Sequence, residues 1–527
     1  MSGLGARSAL AELDGIKIDV LIIGGGINGC STAQHLAAEG YDVLLVEKND
    51  FASAASSRSS RIVHCGLRYL APERSPLDFL TQPRRLRTAV SMAVRSLQCR
   101  RQFLATTPER LRNLDMAIPI YQGDAYPGWQ VDIGAAMLGA LNLGGPSIHY
   151  QRRKPEVAAA THPLVACLRA PETLASVFSF RDHQVVWPER VCMDALLAAK
   201  RLGATVRNYT EVTGLEALPG GGWRAVLEER LEDRVGGAEP ATVEGRVLLN
   251  FTGVWIDGVN RMAAPTKPPS RKIVAVKGTH IAVRLPEKFR GFGLAGHNRE
   301  HEHIFCLPWG DLHYIGPTET VYDGDIEDVQ PTEDDISFLL DEANYLLPKL
   351  DLKRADVELA WAGARPITYD PDRAKGRRAP AGVFHDLARE GMGDAITVTW
   401  GWVMHHRETA RKAVRRVRKI SPPRRARAEV SYAAIPFPEN TNTLPLVADI
   451  PEVTIGVLRH VAEREAPAHL VDILYRRTDV GWRATLPPEA VRQAAESVAG
   501  VLGWDAARVA QEVEDFQAYA RKQHLQG

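Results

Sequence analysis

Two short, uninterrupted apolar runs stand near the start of the chain, Val20-Leu21-Ile22-Ile23 and Val43-Leu44-Leu45-Val46. Runs of this length, bounded by turn residues, predict strands. Between them Cys30 to Glu39 reads as a helix closed by Gly40. The order is strand, Gly24-Gly25-Gly26-Ile27-Asn28-Gly29 turn, helix, strand and then Glu47, a compact βαβ unit. Further along, Arg246 to Phe251 predicts a buried parallel strand that ends on Thr252-Gly253, and Gly220-Gly221-Gly222 predicts the turn of a hairpin. Helical periodicity predicts segments from about Leu77 to Leu114, from Val191 to Leu202 behind Pro188, from Glu333 to Leu347, and from Glu408 to Lys419. Pro119-Ile120-Tyr121 predicts a strand, a loop is expected from there to Pro146, and Phe178 to Trp187 reads as a polar turn flanked by hydrophobics. The last hundred residues read as mostly helical.

Each glycine of the opening turn has a physical reason. Gly24 permits the tight turn, Gly26 lets backbone amides approach a pyrophosphate, and Gly29 lets the helix pack on the strand. The helix N-terminus favours phosphate, and Glu47, about twenty residues on, can bond a ribose hydroxyl. A dinucleotide site follows. The small polar run Ser53 to Ser60, directly after Glu47, suits close packing beside a long extended cofactor, and Thr252-Gly253 brings a second backbone segment to it.

Composition bounds the rest. A chain of 527 residues is too long for one core and implies two or three domains. A net charge of +1 argues against a bulk nucleic-acid binder. Six scattered cysteines without metal-like spacing read as reduced thiols, so no metal site is expected. No secretory core or membrane-spanning run is evident, which points to a cytoplasmic protein. Arg407 to Arg427 carries ten Lys/Arg against one acid, Glu408. Such a patch suits peripheral contact with anionic lipid on the inner face of the cell membrane, a solvated helix being the plainer reading.

The glycine fingerprint, the acid, the Ser-rich run and His64-Cys65-Gly66-Leu67-Arg68-Tyr69-Leu70 together resemble the FAD-dependent glycerol-3-phosphate dehydrogenases. Lys277-Gly278-Thr279-His280, Leu307-Pro308-Trp309, Gly363-Ala364-Arg365-Pro366 and Asp472-Ile473-Leu474-Tyr475-Arg476-Arg477-Thr478 extend the resemblance over roughly residues 18 to 520, with drift between 75 and 160. It implies an α/β, two-domain α+β flavoprotein: a Rossmann-like FAD domain (18–80, 180–262 and 355–420), a substrate domain with an antiparallel sheet (81–179 and 263–354), and a C-terminal helical domain (430–527). FAD would lie against Gly24, Gly26, Ile27, Asn28, Gly29, Glu47, Ser57, Ser60, His64, Gly66, Val212, Thr252, Gly253 and Gly401. Arg68 and Arg365 would bind a substrate phosphate, Tyr69 would line the same pocket, and His280 would be the base. The implied partners are a small phosphorylated polyol and a quinone-type or other electron acceptor; a homodimer is left open.

Three departures stand out. Cys65 replaces a family glycine, and Pro317 and Glu319 are substitutions in a strand motif. In Trp400-Gly401-Trp402-Val403-Met404-His405-His406-Arg407, Trp402 stands where the family has lysine. His405 or His406 is the candidate to replace that charge, with Arg407 and Gly401 keeping their places. Two alternatives follow from the lost lysine: a flavin enzyme for another polyol phosphate or secondary alcohol, or a non-catalytic FAD-binding protein.

Overall fold

The computed structural model describes residues 9–70, 82–124, 127–142, 144–231, 239–264, 266–379, 381–441 and 443–525. Two sheets carry the chain. The first has a parallel core in the spatial order Ala395–Thr399, Ala241–Asn250, Lys17–Ile23, Val43–Val46 and Thr205–Arg207. Val20, Leu21, Ile22, Leu44, Leu45, Val247, Leu248 and Leu249 are fully buried. Covering both faces of a parallel sheet demands such continuous apolar runs. Helix Ile27–Ala38 packs on one face between Pro188–Arg201 and His406–Ile420. The hairpin Thr210–Ala217/Trp223–Glu229 hangs antiparallel on Ala241–Asn250, turning at Gly221 and Gly222, both at positive φ.

The second sheet is mostly antiparallel and has eleven strands. Its long pairs are Leu111–Tyr121 with Leu174–Val185, and Ile273–Val283 with Val357–Asp370. Helices Ile455–Arg464, Pro488–Leu502 and Ala506–His524 close over it, sharing a core in which Tyr314 and Trp361 meet Trp482, Val498 and Phe516. The fold is therefore a two-domain α/β fold with a helical C-terminal region.

A buried ionic knot ties that region back to the first sheet. Asp472–Arg477 is wound as a π-helix, and Arg476 and Arg477 both reach Asp50, three residues past Glu47, at 2.6–2.7 Å. Burial alone would push the Asp50 carboxyl up, but Arg477 and Arg476 outweigh it and hold it below the usual carboxylate range. Such π-turns recur at functional positions.

Three expectations are corrected. The helix expected to reach Leu114 is Pro83–Thr106; Pro108 ends it and a strand begins at Leu111. (Its expected start near Leu77 lies outside the described residues.) The stretch expected as a loop up to Pro146 contains helix Gly128–Leu141. The polar turn expected between Phe178 and Trp187 is continuous strand Leu174–Val185. Its polar side chains have partners that make an extended conformation tolerable. Arg181 pairs with Asp115 directly opposite, Asp182 accepts from Cys65 N–H, His183 receives Arg100, and Gln184 donates to Pro308 O.

Candidate active site

The strand-to-helix turn is built from backbone contact. Gly24 sits at φ +110°, and a Cβ there would stand 2.6 Å from Phe251 O; a Cβ on Gly29 would stand 2.0 Å from Gly24 O. Only glycine fits either place. The result is a cleft of about 610 Å³, lined by Gly24, Gly26, Ile27, Asn28, Glu47, Val212, Thr252, Gly253 and Gly401 among others. Glu47 braces the cleft, accepting from Gly25 N–H at 2.6 Å and Asn49 N–H at 2.9 Å, while burial pushes its carboxyl up. The Thr252 hydroxyl donates to Asn250 Oδ1 at 2.6 Å. Asn28 Oδ1 is buried without a hydrogen-bond partner, a cost that a ligand in the cleft would remove.

A second cavity of about 470 Å³ adjoins the first along Ala55, Pro366, Trp400, Gly401 and Val403. Its lining includes Ser60, His64, Gly66, Arg68, His280, Arg365 and Arg378. The sheet places two of these by period-two alternation. Val276, Gly278 and His280 pair with Arg365, Gly363 and Trp361, so all six lie on one face. The two glycines open a gap in that face. A Cβ on Gly278 would stand 1.7 Å from Arg365 Nη2, and one on Gly363 would stand 2.7 Å from Arg58 Cβ. Arg365 Nη2 donates to Thr318 O at 2.8 Å, and Glu319 is shared between Arg365 and Arg378. Burial, with Arg378 nearby, lowers the Arg365 guanidinium to about 10, so it stays charged at neutral pH.

Burial disfavours the charged form of three imidazoles of the cavity. Burial, then Arg365 and Arg61, holds His280 well below 6.5; burial, then Arg68 and His405, does the same for His64. Burial and Arg68 bring His303 down to about 3. Both ring nitrogens of His64 are buried without a partner. Trp400, at the junction of the two cavities, holds φ +54° although it is not glycine, the kind of backbone strain that collects at functional positions.

Not every expected residue arrives where the sequence pointed. Ser57 lines neither cavity; its hydroxyl donates to Ala54 O at 3.0 Å. Its neighbour Ser56 lines the cleft instead and accepts from Ile27 N–H at 2.9 Å. Ser60 Oγ lies 3.0 Å from His280 Nε2. Tyr69 lines neither cavity and stands edge-on behind His64, ring centroids 5.6 Å apart. His405 and His406 line neither, so they do not replace the lost lysine. Arg407 points elsewhere, donating to Thr106 and Thr107 between the rings of Phe103 and Tyr432. Trp402 itself faces the second cavity, edge-on to His64 at 5.5 Å with Arg68 lying 5.6 Å over its ring. Sequence reasoning missed Arg58, Glu319 and Arg378 as wall residues; Arg378 follows a strand whose motif gave no signal.

A glycine-turned dinucleotide cleft opening onto a cationic cavity with neutral histidines defines a flavin-dependent oxidoreductase. The chain belongs to the FAD dependent oxidoreductase (DAO) family, whose model matches residues 19–404. It is 29% identical over 429 residues to a glycerol-3-phosphate dehydrogenase of Synechocystis, covering 78% of this chain and 72% of that one. It is 30% identical over 412 residues to a D-erythritol 1-phosphate dehydrogenase of Brucella abortus, covering 77% and 74%. A solved glycerol-3-phosphate dehydrogenase from Bacillus halodurans, complexed with FAD, shares the fold over 97% of this chain and 96% of its own, with TM-score 0.71 and 19% identity. An L-alpha-glycerophosphate oxidase from Mycoplasma pneumoniae matches 80% of this chain and 100% of its own, with TM-score 0.57 and 17% identity. FAD is thus the cofactor, and the orphaned Asn28 Oδ1 and the glycine cradle fit it.

Proposed function

We propose that the protein oxidises sn-glycerol 3-phosphate to dihydroxyacetone phosphate and passes the electrons to a quinone-type acceptor. The observation that carries this reading is the pairing of the His280 and Arg365 strands, which sets a neutral imidazole and a half-buried guanidinium on one face beside the dinucleotide cleft. The bound FAD supplies a hydride acceptor at N5. The chain supplies the rest. Arg365 and Arg68 hold the substrate dianion, the guanidinium fork matching phosphate oxygens. His280 takes the C2 hydroxyl proton as the hydride leaves C2; a neutral imidazole is suited to that transfer. Met116, Ile118, Phe180 and Phe305 give the cavity apolar walls that limit water. Ile27, Asn28, Glu47, Ser56, Val212, Thr252 and Gly401 would hold the cofactor, with His64 and Gly66 in the wall of the second cavity.

A second substrate is favoured by one observation, Trp402 in place of the family's lysine. An aromatic wall there exchanges a phosphate-binding charge for a surface against which carbon chains pack. A longer polyol phosphate would use it, as the likeness to the erythritol phosphate enzyme also suggests. Steady-state oxidation of three- and four-carbon polyol phosphates, with a soluble quinone analogue and identification of the ketone product, tests both. Turnover of glycerol 3-phosphate at a kcat/KM above that of the four-carbon substrates supports the first reading; the reverse order replaces it.

Peripheral contact with anionic lipid is a further part of the proposal. Among the described residues no helix is long and apolar enough to cross a membrane. Of the basic run, Arg418 and Arg427 pair with Glu39, Arg424 with Asp19, Arg425 with Asp42 and Lys412 with Glu408, while Arg415, Lys419 and Arg416, the last over the Phe384 ring, are exposed.

A further inference from the structure

We infer that Ser60 and Tyr314 are positioning residues for His280, fixing its ring so that Nδ1 carries the lone pair that receives the substrate proton. This rests on His280 being the base. Three contacts converge on the imidazole, one of them anchored from behind, and leave one nitrogen over. His280 Nε2 lies 3.0 Å from Ser60 Oγ. The Tyr314 hydroxyl donates to Ser60 O at 2.6 Å, so the residue that touches the imidazole is itself anchored. Trp361 stacks on the ring, centroids 4.9 Å apart and planes 11° from parallel, and Tyr314 meets it edge-on at 5.7 Å. His280 Nδ1 is buried and has no hydrogen-bond partner.

In a neutral imidazole one nitrogen carries the proton and the other the lone pair, and the hydrogen bond made by one sets the state of the other. A serine hydroxyl both accepts and donates; with Nε2–H assigned as donor to Ser60 Oγ, Nδ1 is left as the acceptor. The partnerless Nδ1 is then unsatisfied only until a substrate hydroxyl donates to it, which is what a base in a dry cavity requires. The Ser60 side chain therefore serves the base, although the sequence places it in a run that reads as cofactor packing. Tyr314 acts at one remove, through the Ser60 backbone. The π-stack on Trp361 sets the ring plane, and the Ser60–Nε2 contact, the ring's one hydrogen bond among the described residues, is where the tautomer is set.

The test uses the purified FAD-loaded full chain with whichever polyol phosphate the wild type oxidises fastest. Ser60→Ala should lower kcat about tenfold, the factor that corresponds to one net hydrogen bond, with KM unchanged within about twofold. Ser60→Thr, which keeps the hydroxyl, should recover most of the loss, and Tyr314→Phe should fall between. Nitrogen-15 spectra of histidine-labelled protein, with His280→Ala marking the signal, should show one tautomer in the wild type and a mixture in Ser60→Ala. If Ser60→Ala does not retain flavin absorbance, Tyr314→Phe decides. A kcat of Ser60→Ala equal to wild type, or a loss that threonine does not recover, overturns the inference while leaving the base assignment standing if His280→Ala is impaired. An unimpaired His280→Ala overturns both.

Discussion

The dinucleotide cleft and the substrate cavity share five wall residues, yet they are built on opposite plans. The cleft has a local base: Gly24 to Glu47 supplies its turn, helix and acid within one βαβ unit, and Val212, Thr252-Gly253, Pro366, Trp400 and Gly401 complete its walls from other segments. The cavity is assembled from remote strands, with His280 and Arg365 brought together across 85 residues of chain only by the register of two antiparallel strands. The glycine turn at that base tolerates little change in its own backbone. A remote site inherits every shift in sheet register and every substitution on its walls, and that is where Cys65, Glu319 and Trp402 have accumulated.

The sharpest break of the comparison is at the cleft. Gly29→Val should abolish flavin binding outright, because any Cβ there meets Gly24 O at 2.0 Å; a purified variant that is still yellow would contradict the packing account. In the cavity, His280→Ala should lower kcat by about a hundredfold or more, as loss of a positioned base does, while leaving flavin absorbance intact. Asp50→Ala probes the tie between the two halves. It leaves Arg476 and Arg477 buried without their shared carboxylate, which should cost about 3–5 kcal/mol in denaturant unfolding; a cost below about 1 kcal/mol would show the knot to be incidental. Arg365→Ala removes a charge-assisted contact and should raise KM for phosphorylated substrates about tenfold or more with a smaller change in kcat.

The smallest effect concerns pH. Only the neutral His280 can accept a proton, and burial lowers its pKa well below 6.5. The neutral form is therefore retained as pH falls through 6.5, so kcat should show no acid limb near that value. A limb centred at 6.5 would place the titrating group in solvent.

The same contrast explains what the sequence could disclose. Gly24 and Gly29 were readable because each does a backbone task within a contiguous motif; Glu47, expected on a ribose hydroxyl, accepts from Gly25 and Asn49 N–H in the same motif. Within the Ser-rich run the legibility fails by one residue: Ser56, not Ser57, faces the cleft, and Ser60 turns to His280, since the side-chain directions of a turn carry no period. The strand Leu174–Val185 was hidden because its polar stretch is satisfied by Cys65, Arg100, Asp115 and Pro308, partners that no local window contains. Tyr69 and His405 sit close to cavity residues in sequence but back onto them in space, behind His64. Arg378 escaped notice because it reaches the cavity wall, where it pairs with Glu319, from a connection outside every motif.

The central claim is that a flavin in the cleft faces a cationic cavity that takes a phosphorylated polyol. Anaerobic titration of the purified protein, followed at the flavin absorption band, tests it most directly. Bleaching by glycerol 3-phosphate or a longer polyol phosphate, and none by the matching unphosphorylated polyol, is the result expected. A band untouched by every polyol phosphate, or bleached equally by the unphosphorylated compound, would contradict it.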